Sequence, residues 1–261
     1  MTRPEEVSVA HSSGDDRASG PVSRRSVIGV ALGGAAGIVL RPAMSPAETV
    51  ESGHQPMLDV PRLAEDPTAV PVRVSVNHPM AHDHFIESVE MILEADPVPH
   101  KGTYRFTPAN GRARLSFPMR SGTGGVLKAI VTCNRHGRFV GTREIRVGGD
   151  GCASEPDGSR ERPGNPRARI MGVPKFGGVV EVAVKLDHES DTGLRLKDGK
   201  YEMQVFLGDR RISDFRLTSA LSSNAILRFP LRVTGASTLR VVIVNSEGRR
   251  WEATERIRLD A

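Results

Sequence analysis

Hydrophobic and polar residues alternate along much of the chain after residue 70. The first such segment has valine at every second position from Val70 to Val76, with Pro71, Arg73 and Ser75 between. Because successive side chains of a strand point to opposite faces, this period of two predicts strands with one buried face. The pattern recurs in residues 113–119, 127–133, 180–186, 227–233, 239–243 and 251–259.

Turn signals separate these segments and indicate how the strands connect. Asn110-Gly111, Gly124-Gly125 and His136-Gly137 each lie between two alternating runs. Short strands with such turns are typical of an antiparallel β-sandwich. Residues 153–167 contain no aliphatic side chain larger than alanine and therefore predict a linker. The sequence predicts an all-β fold with two sandwich domains in tandem, residues 48–152 and 168–261, and one short helix over residues 60–65.

The first 47 residues have the organisation of an export signal. Arg24 and Arg25 precede an uncharged run over residues 27–40, which is too short to span a bilayer. Ser45 and Ala47 are small residues that predict cleavage before Glu48. The paired arginines resemble a twin-arginine signal, which exports folded proteins; an ordinary secretory signal is the alternative. Both readings predict a periplasmic protein with no membrane span after cleavage.

The balance of charged residues argues against one class of function, nucleic-acid binding. The 36 Lys and Arg residues exceed the 31 Asp and Glu residues by only five, and the excess is spread along the chain. This pattern does not predict binding to nucleic acid. The sequence also lacks a phosphate-binding loop, a haem attachment motif and the residue order of a Ser/His/Asp triad.

A glycine-rich arm leads to one of the two cysteines. Gly148, Gly149 and Gly151 leave the backbone before Cys152 with few steric restrictions. A thiol on a flexible arm favours a carrier over an enzyme, because a thiolate attacks sulfur and holds it through an exchangeable S–S bond. A disulfide between Cys152 and Cys133 is the alternative in an oxidising compartment.

Short motifs follow one another in a set order through both halves. In the first half they are residues 57–65, 69–74, 79–80, 96–99 and 106–111 with the glycine-rich arm; in the second, residues 173–175, 188–193, 197–200, 207–209, 219–224 and 244–248. The first half resembles SoxY, the sulfur-carrier subunit of bacterial thiosulfate oxidation, and the second half resembles its partner SoxZ.

This resemblance implies a natural fusion of two immunoglobulin-like β-sandwiches. By position, the carrier role of the family falls on Cys152, which needs no cofactor. The implied partners are periplasmic sulfur-oxidation or redox proteins, including c-type cytochromes and quinoprotein dehydrogenases. A non-catalytic accessory role beside such a dehydrogenase is a further hypothesis.

A second set of residues in the first half predicts a metal site. Two histidines lie six residues apart, and a Cys-Asn-Arg-His-Gly motif places a cysteine and a histidine three residues apart. Both resemble the site of superoxide reductase and desulfoferrodoxin, a sandwich that holds ferrous iron with four histidines and one thiolate. The resemblance implies an iron site formed by His54, His78, His84, Cys133 and His136.

The ligand types agree with that chemistry. Imidazole suits iron, copper and zinc, and an axial thiolate donates electron density that favours one-electron reduction of oxygen species. His54 stands in a His-x-Pro context but is four residues further from His78 than in the family, so His82 stays an alternative ligand. If the protein is an enzyme, this hypothesis makes it a superoxide reductase.

Overall fold

The alternating segments are β-strands in the computed structural model, which describes residues 53–148, 166–187, 201–246 and 248–260. The strands before the arm are β1 Pro56–Asp59, β2 Leu63–Ala64, β3 Val70–Val76, β4 Ile86–Leu93, β5 His100–Arg105, β6 Ala113–Met119, β7 Gly125–Cys133 and β8 Gly137–Val147. Those after it are β9 Arg167–Met171, β10 Val179–Asp187, β11 Tyr201–Leu207, β12 Arg210–Leu217, β13 Asn224–Arg232, β14 Ser237–Asn245 and β15 Arg250–Ile257. The predicted all-β fold class is confirmed.

The period of two places one face of each strand in the core. In β3 the four valines are buried, whereas Pro71 and Arg73 are exposed. Each valine removed from water contributes about 1.5–3 kcal/mol, before the entropy of ordering the chain is subtracted. The alternating strands β6 and β7 also bury every second side chain along most of their length. The sequence pattern therefore predicts which face of these strands is inside.

Two sheets contain strands from both halves of the chain. The six-stranded sheet has the order β1-β3-β6-β13-β10-β9, and the nine-stranded sheet has the order β15-β14-β11-β12-β5-β4-β7-β8-β2. The halves join where β6 pairs with β13 and where β5 pairs with β12, both antiparallel. The segments predicted as separate sandwiches thus share continuous sheets. Of the predicted linker over residues 153–167, residues 153–165 lie outside the described residues, whereas Arg167 is the first residue of β9. The division into two domains stays a prediction.

Aromatic side chains from both halves fill the core at this junction. The ring of Tyr104 lies 5.1 Å from that of Phe117 and 5.5 Å from that of Phe215, and Phe215 lies 5.1 Å from Phe229. Asn110 is fully buried, and its amide nitrogen donates to the carbonyl oxygen of Pro230 at 3.0 Å. Apolar packing and a satisfied buried amide therefore both hold the second half against the first.

The helix predicted over residues 60–65 is wrong. Leu63 and Ala64 instead form the short strand β2, which pairs in parallel with Arg146 and Val147 at the end of β8. Hydrogen bonding to a distant strand outweighs the local preference of so short a segment. Within the described ranges, no helix has the length and apolar content needed to cross a membrane.

Candidate metal centre

Five strand ends meet at one edge of the first half. β3 and β7 end there, while β1, β4 and β8 begin there, because these neighbours are antiparallel. The residues at or beside these ends are His54 before β1, His78 after β3, His84 before β4, Cys133 at the end of β7 and His136 before β8. Antiparallel pairing within each sheet and the packing of β1 against β8 thus bring together side chains that are up to 82 residues apart in the sequence.

The five side chains converge on one point. Their ligand atoms, one from each residue, all lie within 4.8 Å of one another. Nε2 of His78 is 3.0 Å from Nε2 of His84, which is 3.1 Å from Nδ1 of His136. Nδ1 of His136 is in turn 3.1 Å from Nε2 of His54. The four nitrogens therefore follow one another at nearly equal spacing.

Distances between the imidazole centroids show that the first and last histidines of this series are also neighbours. The imidazole centroids of His54 and His78 are 4.4 Å apart, whereas those of His54 and His84 are 5.8 Å apart. His54 and His84 therefore occupy opposite corners. A square with such edges has its centre about 2.2 Å from each corner, close to the ~2.0–2.1 Å of metal–imidazole bonds in proteins. The spacing of the nitrogens fits one metal ion.

The cysteine supplies the fifth donor from one face of this square. Sγ of Cys133 lies 3.8 Å from Nε2 of His78 and 3.8 Å from Nδ1 of His136, which are opposite corners. The backbone N–H of Arg135 donates to Sγ at 3.5 Å. Cys133 is buried and its thiol is free among the described residues. Four imidazoles and a thiolate suit a borderline transition metal such as iron.

Two of the histidines, His78 and His84, are held in the neutral state that metal binding needs. Burial lowers the pKa of His78 to about 4, and burial followed by the neighbouring His136 lowers the pKa of His84. Nδ1 of His78 lies 2.5 Å from the carbonyl oxygen of Pro79, which places a proton on Nδ1 and leaves the Nε2 lone pair free. Both rings therefore present unprotonated nitrogens at neutral pH.

Two residues between Cys133 and His136 tie the two ligand-bearing loops together. Asn134 Nδ2 donates to the carbonyl oxygen of Asp83 at 3.0 Å, and its Oδ1 accepts from the backbone N–H of Phe85 at 2.9 Å. Arg135 Nε donates to the same carbonyl at 2.9 Å, and its guanidinium pairs with the Asp83 carboxylate. These contacts fix His84 and Cys133 relative to each other.

Strand β8 contacts the segment that carries His54 and holds it in place. The His54 ring stacks on that of Phe139 with centroids 4.5 Å apart, and Gln55 Nε2 donates to the carbonyl oxygen of Val140 at 2.9 Å. A Cβ at Gly141 would lie only 2.5 Å from the carbonyl oxygen of Pro56. The missing side chain at Gly141 therefore lets the His54 segment approach β8.

We expect Gly141→Ala to weaken metal binding without removing any ligand. The new methyl group would push Pro56 away and displace His54, and comparable changes in ligand support weaken metal affinity about 10- to 100-fold. Competition with a chelator measures this change. Gly148→Ala is the matched control, since its nearest neighbour would be Leu63 Cδ1 at 3.6 Å. Equal affinities of the two variants would contradict this role of Gly141.

The structure groups most of the residues that the sequence singled out. His54, His78, His84, Cys133 and His136 form the cluster. His82 is outside it and lines a separate cavity. Cys152 lies outside the described residues. Sequence reasoning missed the supporting roles of Asn134, Phe139 and Gly141, although the Cys-Asn-Arg-His-Gly motif contained the first of them.

Comparisons with known proteins place this site in a family context. Residues 42–152 match the family model of the sulfur oxidation protein SoxY. Among solved structures, the superoxide reductase (neelaredoxin) of Ignicoccus hospitalis is 30% identical, with 40% of this chain and 87% of that chain covered and a TM-score of 0.36. A protein of Pyrococcus horikoshii is 27% identical, with 36% and 90% covered and a TM-score of 0.32. No curated protein matches the sequence.

The suspected resemblances of the first half to SoxY and to superoxide reductase are confirmed. Residues 42–152 match the SoxY family model, and the described part of this stretch contains a cluster able to bind a metal. The resemblance of the second half to SoxZ stays a prediction.

Proposed function

We propose that this protein is a mononuclear iron protein that reduces superoxide in the periplasm. The observation that carries the proposal is the set of four imidazole nitrogens, with three successive separations of 3.0–3.1 Å, and a cysteine sulfur 3.8 Å from two of them. This donor set supports iron over a hard cation such as Mg²⁺, which prefers oxygen ligands. Export of an already folded chain would suit a protein loaded with its metal before transport.

The proposed reaction needs one electron and two protons. Ferrous iron held here would supply the electron that converts superoxide, with two protons, to hydrogen peroxide, and a periplasmic electron donor would restore the ferrous state. The chain contributes four imidazoles and the buried sulfur of Cys133, which accepts a hydrogen bond from the backbone N–H of Arg135 at 3.5 Å. The buried sulfur is shielded from oxidants, which matters because exposed thiolates are readily oxidised.

The site is accessible from one side. His136, Gly137 and Arg138 are exposed, whereas His54, His78 and Cys133 are buried. A small molecule can therefore approach the histidine ring from the face where His136 lies.

Metal analysis and rapid kinetics test the proposal. Full-length protein exported in its native host is expected to contain about one iron per chain, as metal sites of this donor type bind one ion. The reduced protein should consume superoxide in stopped-flow experiments and return to the ferric state. Purified protein that lacks iron after reconstitution under reducing conditions would contradict the proposal.

A second function is supported by the extent of the family match. The SoxY match ends at residue 152, which is the cysteine of the glycine-rich arm. We propose as the alternative that Cys152 carries sulfur. The thiol and thiosulfate would form an S–S bond with loss of two electrons and one proton, and a partner c-type cytochrome would take up the electrons. A thiosulfate-dependent mass increase on Cys152 tests this function.

Chain geometry supports treating the two functions as independent. The cluster lies at the start of β8, and the arm follows the end of that strand. The ends of an 11-residue strand are about 33 Å apart at ~3.3 Å per residue. Five residues beyond Val147 extend at most about 18 Å, so the Cys152 thiol would not reach the cluster of its own chain.

A further inference from the structure

A cavity of about 470 Å³ lies beside the loop that connects His78 and His84. His82 from this loop lines one side. Arg210 at the start of β12 and Arg232 at the end of β13 line it from the second half, together with Thr234 and Ser237 from the β13–β14 connection. None of these residues belongs to the metal cluster, and the proposed functions use none of them.

The charge of this cavity is uncompensated. Among the described residues, no carboxylate lines it, and neither Arg210 nor Arg232 forms an ion pair there. Nearby arginines differ: Arg211 pairs with Asp214 at 3.4 Å, and Arg228 pairs with Glu181 at 3.5 Å. Two arginines therefore line one concave space, and no carboxylate among the described residues pairs with either of them.

Arg232 is also held in place by its surroundings. Its side chain is half-buried, and its Cβ and Nε lie 3.3 and 3.4 Å from the point where a Cβ at Gly111 would stand. Gly111 has a φ of 71°, which a residue with a side chain rarely adopts. The stem of Arg232 thus passes over the Gly111 turn, which limits its freedom and reduces the entropy lost when the guanidinium binds a ligand.

From these observations we propose that the cavity binds a small tetrahedral oxyanion with two negative charges, of the thiosulfate and sulfate type. Guanidinium groups bind such oxygens through paired N–H donors, and the two charges match those of a dianion. The hydroxyl groups of Thr234 and Ser237 and the ring of His82 supply further donors. The anion would bridge the ligand-bearing loop of the first half and the turns of the second half. This proposal is independent of iron binding and of Cys152.

Calorimetric titration of the full-length mature protein with sodium thiosulfate tests the site. At a constant ionic strength of about 0.15 M, we expect saturable binding of one thiosulfate per chain. Arg232→Gln and Arg210→Gln are each expected to weaken binding at least about 10-fold, the loss expected for a charge-assisted hydrogen bond. Sulfate is expected to bind at the same site, and chloride is expected not to compete at equal ionic strength.

Arg216→Gln is the matched control, because Arg216 is an exposed arginine on β12 that does not line the cavity. The thiosulfate affinity of Arg216→Gln should stay within about twofold of that of the parent protein, since this change alters only the overall electrostatic field. Thermal unfolding gives a second readout: thiosulfate should raise the midpoint of the parent and of Arg216→Gln, but not of Arg232→Gln. Non-saturable binding, or equal losses in all three variants, would overturn the proposal.

Discussion

Replacing Cys133 with serine is expected to abolish the visible thiolate-to-iron charge-transfer absorption of the oxidised protein. Cys133 is the only cysteine in the cluster, and its sulfur faces opposite corners of the histidine ring at 3.8 Å. A serine hydroxyl stays protonated at neutral pH and is a poor ligand for iron. We expect iron affinity to fall by more than about 10-fold, because even changes behind the ligands cost that much. Absorption spectra and iron content of the exported protein measure both effects.

Cys152→Ser is the control that separates the two proposed functions. This variant should retain both the iron and its absorption band, since the cluster of five side chains does not include Cys152. Intact mass after exposure to thiosulfate and an oxidised cytochrome should show the reverse pattern, with an adduct on Cys133→Ser and none on Cys152→Ser. An absorption band that survives in Cys133→Ser would contradict the assignment of Cys133 as an iron ligand.

The hydrophobic pattern predicts strands well where one face is buried and the other is exposed. β3 and β6 fit this description, and their alternation is visible in the sequence. β8 does not fit, because only Gly141 and Ile145 are buried among its eleven residues. β5 buries Lys101 and Gly102 beside Tyr104, so its inner face is not apolar either. Strands of this kind depend on their neighbours and escape periodicity arguments.

Hydrophobic periodicity also fails to predict that the two halves share sheets, but for a different reason. The pairing of Tyr104 with Phe215 joins residues 111 positions apart, and nothing in either local pattern specifies it. A sequence with two series of alternating segments is equally consistent with two closed sandwiches. The aromatic contacts between Tyr104, Phe117 and Phe215 select the joined arrangement once the strands are in place.

The ligands of the metal site also differ in how well the sequence predicts them. His78 with His84, and Cys133 with His136, are recognisable because short loops fix their separations in sequence. The choice between His54 and His82 depends on long-range contacts. His54 enters the cluster because β1 pairs with β3 and because its ring stacks on Phe139. The spacing of histidines in the sequence contains no information on either contact.

Replacing Lys101 with methionine is expected to lower the free energy of unfolding by about 3–5 kcal/mol at neutral pH, the usual cost of breaking a buried ion pair. Lys101 Nζ lies 2.8 Å from Asp96 Oδ1, and both side chains are almost fully buried. The variant leaves the Asp96 carboxylate buried with only the backbone N–H groups of Val98 and Gly122 as donors. Urea denaturation measures the loss.

Lys128→Met is the matched control for this loss. Lys128 also pairs with a carboxylate, that of Glu94, but both side chains are substantially exposed. Exposed pairs of this kind contribute about 0–1 kcal/mol, so this variant should remain close to the parent protein. A similar loss of stability in the two lysine variants would contradict a special role for the buried pair.

The pH dependence of the Lys101→Met loss has a definite sign. In the parent, burial raises the pKa of Asp96, but the hydrogen bonds from Lys101, Val98 and Gly122 lower it further and hold it below its usual range. Its ionised form therefore stabilises the fold above the usual carboxyl pKa of ~3.9, and this contribution disappears as the pH falls through the lowered value. Burial lowers the pKa of Lys101, so its own charge opposes folding at neutral pH and the intact pair contributes little net stability.

Without Lys101, burial raises the Asp96 pKa, and protonation of Asp96 relieves the cost of the buried, unpaired carboxylate as the pH falls. The difference between parent and variant should thus shrink from pH 7 to pH 4, and a constant difference would show that lost packing rather than charge causes it.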